Sequence, residues 1–276
     1  MTNSNESVLF IFAGVFSLAG VGVFIYGLKT MFKYSLIENI PHSKIRSMAM
    51  GLVEIQGNAV GDKYVVTPFS QSQCVYYRYK IEEYRMHESR DAKGNTQISY
   101  SWETISSGEQ RVPFFGKDET GQVYIDPHGA EFNVSAKKVF LQRAGLLGGL
   151  GNILNDLKGW DNNQATSLNV SAWGLTALDP TNHLSFGGSV GDRKYYEYYI
   201  EPEEALFVVG TADNDSRVPN NVLIKKGVNE PTFIISNKSE RELLGSLMWQ
   251  MIACFVFGGA FFIGGIFWLL KLSRII

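Results

Sequence analysis

Cysteine is nearly missing from this chain. Of 276 residues only Cys74 and Cys254 are cysteine, and Cys254 lies inside a long apolar run. No disulfide framework can form in the soluble part, and the redox compartment cannot be read. Histidine is as scarce: His42, His87, His128 and His183 stand far apart. With two cysteines they make no sequence-local tetrahedral zinc set, and no metal or other cofactor is expected. A basic excess is missing too. The net charge is −2, without the electrostatic footprint of a nucleic-acid binder. Met1 to Ser7 holds no lysine or arginine, which the start of a secretory signal would carry.

What the chain does have is two long stretches without charge. Leu247 to Leu270 has Gln250 as its only strongly polar side chain, with Trp249 and Trp268 near its ends. At ~1.5 Å per residue it crosses a hydrocarbon core of roughly 30 Å, and indoles favour the headgroup level. Val8 to Leu28 is the second run, with Lys29 and Lys33 after it. It reads as an uncleaved anchor. Ala13, Gly20 and Gly27 recur every seven residues, and Ala260 and Gly264 form a small-xxx-small pair. Small residues let helix backbones approach, so the spans are expected to pack on each other, and self-association through them is a further expectation. Glycine and alanine are also simply common in membrane helices.

Residues 1–7 are thus a tail, 8–28 a span, 29–246 a soluble domain, 247–270 a span and 271–276 a tail. Lys29, Lys33, Lys44, Arg46, Lys238 and Arg241 flank the spans on the loop side, against Lys271 and Arg274 on the tail side. That bias places the soluble domain in the cytoplasm.

The soluble domain reads as mostly β, a β-rich α+β domain between two transmembrane helices. Ser47 to Val60 has strand character, with Gly57-Asn58 and Gly61-Asp62 as turn signals. Tyr64 to Thr67 is a short strand. Cys74 to Arg85 is the clearest one: Val75, Tyr77, Tyr79 and Ile81 face one way, Arg78, Lys80 and Glu82 the other. His87 to Thr96 reads as a polar hairpin tip, and Ile98 to Ser106 as the returning strand. Val112 to Phe115 and Gln122 to Ile125 continue what reads as a sequential antiparallel meander. Lys138 to Lys158 is rich in glycine and leucine, an insert between halves 29–137 and 185–246. A mobile loop with a short helix, or a helix on the bilayer surface, fits it. Arg193 to Ile200, Ala205 to Ala212, Val222 to Lys225 and Thr232 to Ser236 complete the strands. Ser239 with Glu242 has capping-box spacing and opens a helix that runs into the second span.

The tyrosine-rich strands supply the candidate binding residues: Tyr76, Tyr77, Arg78, Tyr79, Tyr195, Tyr196 and Tyr198. Their plain alternative is packing within the sheet.

Several stretches together resemble one family. They are Ser43-Lys44-Ile45-Arg46-Ser47-Met48-Ala49-Met50-Gly51-Leu52-Val53-Glu54-Ile55-Gln56-Gly57, Cys74-Val75-Tyr76-Tyr77-Arg78-Tyr79 and Asp118-Glu119-Thr120-Gly121-Gln122-Val123-Tyr124-Ile125-Asp126-Pro127. Glu201-Pro202-Glu203-Glu204-Ala205-Leu206 and Phe233-Ile234-Ile235-Ser236 add to them. The chain resembles the GIDE-domain family, shared by bacterial and archaeal membrane proteins and by a mitochondrial outer-membrane ubiquitin ligase. The resemblance implies a bacterial or archaeal plasma-membrane protein whose middle domain senses or binds a protein partner. It also implies that ligase chemistry, where present, sits in a RING finger after the second span. Six residues follow Leu270, and a RING needs about eight Cys and His ligands. The zinc ligands are therefore expected to be absent, and no intrinsic catalysis is expected.

Catalytic patterns are weak. Gly187-Gly188-Ser189-Val190-Gly191 matches G-x-S-x-G, which needs a strand before and a helix after; here a strand follows. Ser135-Ala136-Lys137-Lys138 has S-x-x-K spacing, and Asp118 and Asp126 flank one strand as a conceivable acid–base pair. A glycine hairpin explains the first and solvated turns explain the aspartates; so short a pattern as S-x-x-K occurs often by chance. The expectation is a membrane-anchored binding module whose partners are the bilayer and a protein yet to be identified. A ligase component or an unrecognised membrane hydrolase is the alternative.

Overall fold

The computed structural model describes residues 4–91, 94–144, 176–178 and 188–273. They fall into two compact units, Met1–Pro41 with Ser239–Ile276, and His42–Lys238.

The first unit is a helix pair, α1 (Ser4–Asn39) and α2 (Glu240–Leu272). Both are long and apolar enough to cross a membrane. Helix α1 continues past the apolar run and stops just before Ile40-Pro41, where the residue preceding proline disfavours helix. Helix α2 starts on the expected capping box: the Glu242 amide donates to the Ser239 hydroxyl, and the Glu242 carboxylate accepts from the Ser239 amide. The helices meet on small residues. A Cβ on Gly20 would lie 2.6 Å from the Phe262 nitrogen, and one on Gly258 2.9 Å from the Phe24 nitrogen. Gly27 meets Cys254 and Phe255, and Gly265 meets Ser17 and Ala13. The seven-residue repeat of Ala13, Gly20 and Gly27 is thus a packing face. Gly264 has open space around it, so the facing small residues on α2 are Gly258 and Gly265 rather than the Ala260–Gly264 pair. The Gln250 side-chain amide donates to the Tyr26 hydroxyl at 2.9 Å, giving the one strongly polar group of the second run a partner.

The second unit is β-rich. Its strands are β1 (Gly51–Val60), β2 (Val65–Val66), β3 (Gln73–Cys74), β4 (Tyr76–Arg90), β5 (Thr96–Arg111), β6 (Phe114–Lys117) and β7 (Gln122–Ile125). After them come β8 (Glu131–Asn133), β9 (Ala136–Gln142), β10 (Thr176–Leu178), β11 (Arg193–Ile200), β12 (Ala205–Asn214), β13 (Val222–Lys225) and β14 (Ile234–Ser236). One sheet runs β1-β6-β7-β13-β12-β14-β8, and β1 also pairs with β12 along Gly51–Asn58. That second pairing closes β1, β6, β7, β13 and β12 into a ring. Numbered along the chain, these five have the order 1-2-3-5-4 and back to 1, with strands 3 and 5 parallel. This is the connectivity of the OB barrel. The expected meander is corrected here: the hairpins β4–β5 and β6–β7 are sequential and antiparallel, but β7–β13 and β8–β14 are parallel pairs between segments distant in sequence.

A five-stranded sheet, β10-β9-β11-β4-β5, is built from what lies between barrel strands. The β1-to-β6 connection supplies β4 and β5; the β7-to-β12 connection supplies β9, β10 and β11. Strands from before residue 137 and after residue 185 therefore interleave in both sheets. The glycine- and leucine-rich stretch from residue 145 lies outside the described residues.

Gly57-Asn58 is not a turn. Both residues belong to β1, and a Cβ on Gly57 would sit 2.6 Å from the Lys117 carbonyl oxygen. The glycine is there because β6 comes close, a reading that glycine within a strand always offers beside a turn. Ser47, expected to open a strand, closes a turn of 3-10 helix over Ile45–Ser47 instead, and β1 begins at Gly51.

Candidate functional site

The expected binding residues gather on the five-stranded sheet, because β11 pairs with β4 in a register that sets Tyr196 opposite Lys80, Tyr198 opposite Arg78 and Tyr199 opposite Tyr77. Alternation then divides them between two faces. On one face Tyr77, Tyr79, Tyr195 and Glu197 turn toward the loop after β2: Phe69 packs edge-on against Tyr79 and Tyr195, with ring centroids 5.8 and 5.0 Å apart. The buried Glu197 carboxylate accepts the Phe69 amide at 2.6 Å and the Ser70 amide at 3.1 Å, fixing that loop. Burial raises the Glu197 pKa more than these hydrogen bonds lower it. Tyr195 is buried and donates to the Gln142 side-chain oxygen at 2.7 Å.

On the other face the pairs are cations over rings. The Arg78 guanidinium lies 4.4 Å from the Tyr198 ring centre, and the Lys80 ammonium 4.5 Å from that of Tyr196. Tyr76 stacks on Phe132 at 3.6 Å between centroids. Burial and the Glu82 carboxylate push the Tyr196 hydroxyl up from its ordinary value. Of the seven residues, Tyr76, Tyr77, Tyr195 and Tyr196 are buried, Tyr79 and Tyr198 half-buried, and Arg78 exposed. A partner approaching the cation-bearing face meets Arg78 and Tyr198 first, while Tyr79 lies on the opposite face under Phe69.

The surface continues onto residues that the sequence reading passed over. Strand β11 pairs with β4 only as far as Glu83, while β4 and β5 stay paired to Arg90 and Thr96. Beyond Tyr84 the hairpin is thus a two-stranded arm, roughly 20 Å long at ~3.4 Å per residue. The expected polar tip at His87 to Thr96 is shorter than predicted: His87 to Arg90 belong to β4 and Thr96 to β5. The arm is two-faced. Glu83, Arg85, His87 and Glu103 form a charged face, with Arg85 bonded to Glu83 at 2.8 Å and to Glu103 at 3.5 Å. Burial works against the Glu83 charge, yet hydrogen bonds from Arg85 and Arg193 hold its carboxyl below the usual range. The other face sets Met86 opposite Tyr100 and Tyr84 opposite Trp102, with Ile98 next along β5. Met86, Ile98 and Tyr100 are 50%, 54% and 51% exposed, the most open apolar side chains of this hairpin.

The arm's root is firm. Tyr84 lies 5.2 Å from Trp102 and 6.1 Å from Tyr100 between centroids, and the buried Lys194 ammonium sits 4.1 Å from the Trp102 ring centre. Burial lowers the Lys194 pKa. The period-two alternation of Tyr84-Met86 and Ile98-Tyr100-Trp102 was the available signal. It was masked by the charged residues between, which read as a turn.

The catalytic patterns resolve into turns and caps. After Ser189 comes the strand β11, and the buried Asp192 carboxylate takes the amides of Ala144 and Ser189 at 2.8 and 3.0 Å. Asp118 spends its oxygens on the amides of Ile45, Thr120 and Gly121. Asp126 accepts the His128 amide at 3.2 Å within a turn. In the S-x-x-K pattern, Ser135 is exposed and its amide donates to the Asn237 side-chain oxygen at 3.1 Å, and Lys138 is exposed on β9. Cys74 is buried, which pushes its thiol up to about 12, far from a nucleophile's range. Among the described residues, no group of three or more His, Cys, Asp or Glu is placed to hold a metal ion.

No curated protein and no solved structure matches the chain. The GIDE family model, described as E3 ubiquitin ligase, matches residues 82–147 and 163–270. The match takes in more than half of the chain, including the arm, β11 to β14 and nearly all of the second apolar helix, and on that ground the chain belongs to the GIDE family.

Proposed function

We propose that the β domain is a protein-docking module held at a membrane by the two apolar helices, and that the aromatic face of the β4–β5 arm, with Arg78 and Tyr198 on the same face of the adjoining sheet, receives the partner. The observation that carries the reading is the half-exposed trio Met86, Ile98 and Tyr100, aligned on one face of a rigidly rooted arm. Apolar side chains presented together mark interaction surfaces, and here the charged groups of that face, Glu88 opposite Ile98 and Arg90 beyond it, lie toward the arm's tip. The lysine and arginine residues beside the spans support a domain that faces the cytoplasm, and the family resemblance supports a bacterial or archaeal cell.

A photo-crosslinking side chain in place of Tyr100, in intact membranes, should join one identified protein; the same group in place of Gln97, on the polar face, should not. Equal adducts at both positions overturn the reading. Sidedness needs an introduced thiol, since Cys74 is buried. Ser99→Cys on the exposed arm should be labelled by an impermeant reagent only after the cells are opened.

The family description favours a second reading, in which the chain supplies the membrane module of a ubiquitin ligase. Its test is ubiquitin transfer by the purified chain with activating and conjugating enzymes, alone and with the crosslinked partner.

A further inference from the structure

At one end of the barrel three segments converge on a groove of about 350 Å³: the 3-10 turn before β1, the β6–β7 turn and the β12–β13 loop. Two of these segments carry the family-like sequences Ser43–Gly57 and Asp118–Pro127, and Asp118 ties them together. Its carboxylate accepts the Ile45 amide at 2.9 Å and, within its own turn, the amides of Thr120 and Gly121 at 2.7 and 2.9 Å. The Arg46 amide donates in turn to the Thr120 hydroxyl at 3.1 Å, and Lys44 pairs with Glu119. The third wall is held by Asn220 and Asn221, both in the left-handed region at φ 61° and 56°, with the Asn220 side chain donating to the Gln122 carbonyl. Adjacent non-glycine residues in that region are uncommon, and such strain gathers at functional sites.

The lining is chemically divided. Ile45, Met48, Val123 and Val222 give an apolar floor; Arg46, Gln122 and Asn220 stand exposed at the rim. Nearby cations already have carboxylates: Lys44 has Glu119, Lys225 has Asp213 and Arg217 has Asp215. Among the described residues no carboxylate pairs with the Arg46 guanidinium.

We propose that this groove is a second binding site, which takes a short peptide segment in which an aliphatic side chain adjoins a carboxylate. The aliphatic group lies on the Ile45–Val222 floor and the carboxylate forms a forked hydrogen-bonded pair with Arg46, the geometry for which guanidinium is suited. The amides of Gln122 and Asn220 serve the peptide backbone. An open groove with amide groups along its rim suits a chain that passes through it. The site stands apart from the arm, so its failure leaves the docking reading untouched, and the reverse.

The test uses the full chain in lipid nanodiscs with methyl-labelled methionine. The probe is acetyl-Ala-Leu-Leu-Glu-Glu-Ala-amide, set against its Gln-Gln counterpart. The Met48 methyl signal should shift saturably with the acidic peptide while Met86, on the arm, stays in place. Arg46→Gln should weaken binding about tenfold or more, as expected for loss of a charge-assisted pair; Val222→Trp should abolish it by filling the floor. Arg46 lies on the surface and its backbone bond survives the change, so the variant folds. No Met48 shift at millimolar peptide, equal affinity for the Gln-Gln peptide, or an unchanged response in Arg46→Gln overturns the proposal. An equal shift from sodium octanoate overturns it too, by moving the site to free aliphatic carboxylates.

Discussion

The barrel's inner cluster packs apolar groups such as Val53, Ile55, Phe114, Ile125, Val208, Ile224 and Ile235, while the buried carboxylate of β1, Glu54, belongs to the other face of that strand. In the five-stranded sheet, Asp192, Lys194 and Glu197 are as deeply buried as the tyrosines around them. The barrel rests on area removed from water, which is tolerant of which apolar group does the work but not of lost volume. The sheet rests on partners, each of which leaves a costly orphan when removed. One domain thus holds two kinds of interior, and the interaction surface grows from the polar one.

The sharpest break of this contrast is Phe114→Ala. Phe114 is fully buried in the barrel cluster, and truncation should cost about 3–5 kcal/mol. Denaturant unfolding followed by circular dichroism reads it, and a loss below about 1 kcal/mol would mean that the barrel interior is not the main support.

Glu197→Gln comes next. It turns an amide group toward the Phe69 and Ser70 donors, for a cost of about 1–3 kcal/mol. Its pH dependence has a definite sign. The folded-state pKa of Glu197 is raised by burial, so its favourable contribution is complete below the ordinary 4.5 and is lost as pH rises through the folded value. The gap between wild type and variant should be widest in acid and narrow toward neutral pH. A gap that widens as pH rises would contradict the burial account.

Asp118→Asn tests a carboxylate of the opposite sign on the barrel. Burial opposes its charge, but the Ile45, Thr120 and Gly121 donors win and hold its pKa below the ordinary 3.8. Its stabilisation is complete above 3.8 and lost as pH falls through the folded value. The variant should lose about 1 kcal/mol at neutral pH, the size of a typical capping bond, and converge on wild type in strong acid. Melting curves across the pH range would show the two carboxylate variants diverging from wild type at opposite ends.

Much of this fold was legible because local rules governed it. The capping box at Ser239, the strand β11 at Arg193 to Ile200 and the strand β13 at Val222 to Lys225 all stand where alternation and capping put them. The barrel was not legible, since its closure depends on β1 meeting β12 and β7 meeting β13 across long inserts. Gly57 shows the same limit at one residue: turn and close approach demand the same side chain. The tyrosine strands were visible as candidates. Their division into buried and open members needed the loop at Phe69 and the ring of Phe132, which come from elsewhere in the chain.

The smallest effect on stability should accompany the largest on binding. Met86, Ile98 and Tyr100 are half exposed on an arm anchored at Tyr84 and Trp102, so Tyr100→Ser removes surface area without opening a cavity. Surface changes of this kind stay within about 0.5 kcal/mol. Trp102→Ala, at the root, should instead release Lys194 and loosen the hairpin, since a two-stranded ribbon is marginal without packing. Hydrogen exchange along β4 and β5 should therefore leave Tyr100→Ser with wild-type protection and give Trp102→Ala fast exchange. Tyr100→Ser should still lose the crosslinked partner in the membrane, captured through a probe in place of Ile98. If it keeps the partner while Trp102→Ala loses it, the arm is a structural strut and the contact lies on the sheet at Arg78 and Tyr198.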